Sequence, residues 1–183
     1  MSRPDTSGSG GGRLSLAAAP MTRGIVFVHS SPRAYCPHIE WALSGLVGER
    51  VTLDWIAQPV TRGSVRAELS WQAKAGTGAA IASALRGFPD LRFEVTEEPT
   101  TATEGERFSC TPTLGVYRAM IGLHGEVLVT EDRIRQAIMR AAVTDEPVED
   151  ELALLLGQPW DDELEPFRVA GEGAPVRWLH RVG

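Results

Sequence analysis

Cysteine is scarce in this sequence: Cys36 and Cys110 are the only two. Two thiols build no disulfide framework, which excludes a stapled secreted scaffold and makes a reduced, cytoplasmic setting the natural expectation. No apolar run approaches the ~20 residues needed to cross a bilayer, so no membrane association is expected. Lysine is almost missing and arginine carries the positive charge, a bias that a GC-rich genome explains as well as any function. The formal net charge is -6. Broad binding to a phosphate backbone runs on clustered cations, so nucleic acid is disfavoured as a partner, although a local basic site is not excluded. There is no GxSxG nucleophile elbow, no CxxC pair and no Walker loop.

What is present fits a globular chain. Its 183 residues are 43% hydrophobic and 23% charged, enough to bury a core without staples. Residues 1–20 stand apart as a disordered leader. Ser7 to Gly12 reads SGSGGG, and the apolar stretch Leu14 to Pro20 is too short and too weakly flanked by cations for a signal peptide. Translation from Met21 explains the leader equally well.

From there the pattern alternates between strand and helix. Gly24 to His29 is a continuous β-branched run, expected to be buried on both faces. Ile39, Ala42, Leu43, Leu46 and Val47 form one helical stripe, with Pro37 in the first turn and Gly48 as the stop. Val51 to Ile56 alternates and predicts a strand, as does Val65 to Trp71. Ile81, Ala84, Leu85 and Phe88 stripe a second helix, and Leu91 to Val95 alternates again. The order β-α-β-β-α-β over 24–97 predicts an α+β fold of the ferredoxin-like kind, with its helices on one face of the sheet. Asp54, Arg66, Glu68, Arg92 and Glu94 would then share the other face. More often such faces are solvated cross-strand pairs, and here the later hairpin offers a cover.

Residues 107–157 add a strand at Arg107 to Thr111, a hairpin over 116–129 and two helices. Thr130 is the expected cap of the first, and Pro147 and Gly157 bound the second. The end, 158–183, has no sustained periodicity but carries Trp160, Phe167, Val176, Trp178 and Leu179, so it is expected to pack as an extended tail. Residues 21–183 are read as a single domain.

Candidate chemistry gathers where the first strand meets the first helix. His29, Ser30, Ser31, Arg33 and His38 would suit an anionic ligand, since helix N–H groups point outward at such junctions. A Ser or Cys36 nucleophile with a histidine base is the enzyme version. The plainer version has the serines capping the helix, His29 bonded at the strand end and Arg33 solvated, and it is favoured. Cys36 and His38 with His124 or His180 lack the paired spacing of a zinc site, so no metal is expected. Lys74 to Gly78 (KAGTG) resembles a small anion nest. Trp160, Asp161, Asp162, Phe167 and Trp178 combine aromatic anchors with charge, which suits a protein partner. An intramolecular role, with Trp160 and Phe167 plugging the chain's own core and the carboxylates facing water, is the stronger competitor.

TRGIVFVHSSPRA at 22–34, HIEWAL at 38–43, TLDW at 52–55, RAELSWQ at 66–72, GTGA at 76–79, ALRGF at 84–88, RFEVTEEP at 92–99 and WDDELEPFRVAGEGAPVRWLHRV at 160–182 together resemble an actinobacterial family of small proteins of unknown function. The resemblance spans about residues 21–183. It implies an actinobacterial source and a cytoplasmic setting, and it supplies no activity, cofactor or catalytic residue. The function expected from the sequence is a non-catalytic binding or regulatory module, most readily for a protein partner met through the tail. The alternative is a small enzyme or sensor for an anionic metabolite at the first strand-helix junction. No cofactor is indicated.

Overall fold

The computed structural model describes residues 20–170. It is an α+β fold built on one seven-stranded antiparallel sheet. The strands are β1 (Met21–Pro32), β2 (Ile56–Ala57), β3 (Ser64–Lys74), β4 (Arg92–Glu97), β5 (Gly105–Thr111), β6 (Gly115–Ile121) and β7 (Val127–Leu128). Their spatial order is β2-β3-β1-β4-β5-β6-β7. The helices are α1 (Cys36–Val47), α2 (Thr77–Leu85), α3 (Glu131–Thr144), α4 (Val148–Leu156) and α5 (Gln158–Val169). None of these helices is long and apolar enough to cross a membrane.

Strand alternation divides the sheet into two faces. Val26, Val28, Trp71, Phe93, Val95 and Phe108 point to one side and meet Ile39 and Leu43 of α1 and Ile81 and Leu85 of α2. These four helix side chains are essentially removed from water. Each such burial contributes about 2 kcal/mol, which makes this face the principal core. α1 ends as its glycine dictates: Gly48 takes the left-handed conformation after it, with φ of 85°. β1 differs from the expected strand buried on both faces, because Ile25 and Phe27 are only partly covered.

Three expectations need correction. The alternating segment Val51 to Ile56 is mostly not a strand; only Ile56 and Ala57 pair with β3. Its N–H groups are taken by α1 instead. Val51 N–H donates to Ser44 Oγ at 2.9 Å, and Leu53 N–H donates to Glu40 Oε1 at 3.0 Å. The alternation survives because Val51 and Leu53 still join the core. The second correction concerns 158–169, which form helix α5 rather than an extended tail. Pro159 sits in its first turn, where a missing N–H costs little, and Pro166 is carried inside it. The third follows from the second and concerns the cover of the charged face, since α1 and α2 do share the opposite face as expected. α5, not the hairpin, covers the charged side of the sheet, with Leu164 and Phe167 buried beneath it. The expected leader through residue 19 and the end of the tail from residue 171, including Trp178, lie outside the described residues.

Candidate functional site

Glu94, in the middle of the sheet, organises the face under α5. Register brings it there: Glu94 is opposite Phe27 of β1 and Ser109 of β5, so these positions of three adjacent strands share the face under α5. Its carboxylate meets His29 Nε2 at 2.7 Å, Arg107 Nη2 at 2.9 Å and Ser109 Oγ at 3.3 Å. From α5, Arg168 adds Nε at 2.9 Å and Nη2 at 2.5 Å, one to each carboxylate oxygen. Asp161, two turns earlier in α5, completes the set by accepting from both Arg107 and Arg168. Two carboxylates thus face two guanidinium groups, all largely buried.

Burial alone would push the Glu94 carboxyl up. The hydrogen bonds and charges of His29 and Arg168 outweigh it and hold the group well below the usual carboxylate range. Burial pulls the Arg107 and Arg168 guanidinium groups down, and their carboxylate partners more than restore them. Glu94 is therefore ionised and can only accept. His29 Nε2 must then carry the proton of their shared hydrogen bond.

A groove of about 210 Å³ opens beside this network, toward the β2 edge of the sheet. Phe27, His29, Asp54, Ile56, Arg66 and Glu68 line it. The rings of Phe27 and His29 stack with centroids 5.9 Å apart. Arg66 is only 6% exposed, and one of its amino groups donates to the carbonyl oxygen of Ala170 just beyond α5. Asp54 and Glu68 are exposed at the rim. Among the described residues, Arg66 pairs with no carboxylate, and neither Asp54 nor Glu68 has a hydrogen-bond or ion-pair partner. Opposite charges share this groove without closing on each other.

The residues singled out from the sequence are divided by the structure. His29 enters both the Glu94 network and the groove. Ser30 and Ser31 are buried in β1; Ser31 donates to the Pro32 carbonyl oxygen at 3.0 Å. Neither serine caps a helix: no side-chain cap bond is made at the helical turn of residues 33–35 or at α1, whose cap position is Tyr35. Arg33 and His38 are exposed and lie outside the groove. In α5, Trp160 packs on Tyr117 at 5.2 Å and donates to the Gly115 carbonyl oxygen at 3.0 Å. Asp161 points to the sheet, Asp162 accepts from Gln158, and Phe167 lies under Arg92 at 4.7 Å. Trp178 is outside the described residues.

The KAGTG turn is filled by the chain itself. Glu97 accepts from Gly76 N–H at 2.7 Å and Gly78 N–H at 2.6 Å, so its carboxylate stands where an anion would sit. A β-carbon at position 78 would come within 2.9 Å of that side chain, which is why glycine fits there. Among the described residues no group of three His, Cys, Asp or Glu could hold a metal ion. Sequence reading missed Arg107 and Arg168. The polar alternation Arg107, Ser109, Thr111 against Phe108 and Cys110 is the signal that marks the first.

A model of the family described as "Protein of unknown function (DUF3145)" matches residues 25–181. No curated protein and no solved structure matches the chain.

Proposed function

The chain belongs to the DUF3145 family, and from its geometry we propose that it is a non-catalytic binding module that holds a small charged ligand in the groove beside His29. One observation carries this reading: buried Arg66 shares the groove with Asp54 and Glu68 and pairs with neither. A guanidinium seldom goes without a carboxylate when removed from water, because desolvation costs several kcal/mol unless a partner offsets it. The adjoining network supports the groove mechanically. Glu94 fixes the His29 ring, and Arg168 ties α5 to the same carboxylate. The test is a thermal-shift screen of the full chain against small charged metabolites. Stabilisation by one of them, lost in Arg66→Met, supports the reading; a screen in which nothing stabilises the chain overturns it.

A second reading, a protein partner, is favoured by Trp41, which is 79% exposed on α1 beside a cleft lined by Gly45, Leu46 and Gly48. Exposed tryptophans on such surfaces often anchor interfaces. A partner recognising Trp160, Asp161 or Phe167 would first have to lift α5 off the sheet. Trp41→Ala separates the two readings, since it leaves ligand stabilisation intact.

We also read residues 21–183 as one domain whose first four strands, with α1 and α2, are ferredoxin-like; the order β2-β3-β1-β4 supports this. The cytoplasmic setting rests on two free thiols, and the actinobacterial source on the resemblance of the sequence alone.

A further inference from the structure

Resting on that groove as a ligand site, we propose that its ligand is a zwitterion of the α-amino-acid type with a small aliphatic side chain. The carboxylate pairs with Arg66 beside His29, the ammonium faces Asp54 and Glu68, and the side chain lies against Phe27 and Ile56.

Charge decides the class. A simple anion would be drawn to Arg66 but would meet two carboxylates in the same groove. A simple cation would suit Asp54 and Glu68 but would leave the buried guanidinium, which among the described residues donates only to the Ala170 carbonyl oxygen, without a carboxylate. A ligand with both charges satisfies each end. Depth orders them: Arg66 is buried while Asp54 and Glu68 lie at the rim, so the carboxylate goes in first and the ammonium stays outward. The planar fork of arginine matches a carboxylate in two parallel hydrogen bonds.

Spacing and size agree. Arg66 and Glu68 are two positions apart on β3, on one face, and their partners across the sheet are Ile56 and Phe27. Two residues of strand span about 7 Å, room for one small zwitterion between the two charges. The groove volume of about 210 Å³ lies below the ~300–1,000 Å³ of pockets for drug-sized molecules. Phe27 and Ile56 supply apolar contact at the two ends of this pairing.

The test is calorimetric titration of the full chain with three matched compounds: L-valine, 3-methylbutanoate, which lacks the ammonium, and isobutylamine, which lacks the carboxylate. L-valine should bind about tenfold more tightly than either half, the gain from one more charged hydrogen-bonding end. In Arg66→Met its advantage over isobutylamine should vanish. In the exposed double variant Asp54→Asn/Glu68→Gln, which leaves the buried network untouched, its advantage over 3-methylbutanoate should vanish. If 3-methylbutanoate binds as well as L-valine, the site takes plain anions and the zwitterion is overturned while the groove stands. Isobutylamine equal to L-valine overturns it in favour of a cation. Failure of all three compounds, with another charged metabolite stabilising the chain through Arg66, rejects the amino-acid class alone. Failure of these and of the whole screen rejects the groove as well.

Discussion

Glu94 and Arg168, 74 positions apart in the chain, face each other through two hydrogen bonds of 2.9 and 2.5 Å. This pair fastens α5 to the middle of the sheet, and Asp161 repeats the link one element deeper by joining Arg168 to Arg107. Breaking it should be costly. Arg168→Ala leaves Glu94 buried with less than its share of positive charge, and loss of one member of a buried pair costs about 3–5 kcal/mol. Urea unfolding should show that loss, and hydrogen exchange should speed up first in α5. A variant as stable as the parent would mean that the other contacts of α5, such as Leu164, Phe167 and the Trp160 bond to Gly115, hold it without the Glu94 pair.

The same pair sets an acid limit. The Glu94 carboxyl is held well below its unfolded range, so the ionised form favours folding. That contribution is full above the unfolded carboxylate value, about 4.3, and is lost as pH falls from there through the folded value. Urea midpoints taken from pH 6 down to pH 3 should therefore decline for the parent chain. Glu94→Gln should start lower at pH 6 and decline less steeply. Parallel curves would assign the acid sensitivity to other carboxylates.

Gly157 connects α4 to α5 with φ of 81°, and a β-carbon there would fall 2.5 Å from the Tyr117 ring. Tyr117 itself donates to the Leu155 carbonyl oxygen at 2.7 Å, so the ring has little freedom to retreat. Gly157→Ala combines backbone strain with overpacking and should cost about 2–3 kcal/mol in urea unfolding. An unchanged midpoint would show that the joint between the two helices yields freely.

Much of this fold was legible because alternation reports burial directly. Arg66, Glu68, Arg92 and Glu94 were placed on one face by strand period alone, and the structure keeps them there. What alternation could not report was the occupant of that face. Trp160, Leu164 and Phe167 do recur at helical spacing, but Pro159, Pro166 and nearby Gly157 masked the helix that carries them. Alternation also misled at Val51 to Ile56, where side chains of α1 take the hydrogen bonds that a neighbouring strand would supply. Of the site, His29 was visible as polar text at the end of an apolar strand. Its partner Glu94 is 65 positions away, and only the register of β1 against β4 brings them together.

The central claim, that the groove beside His29 receives a small zwitterion, is met most directly by nuclear magnetic resonance. The full chain, labelled with nitrogen-15, is titrated with L-valine. Saturable shifts confined to the amides of Phe27, His29, Asp54, Ile56, Arg66 and Glu68, with movement of the His29 ring nitrogens, are the predicted result. Shifts centred on Trp41 and Gly45, or none at all, would contradict it.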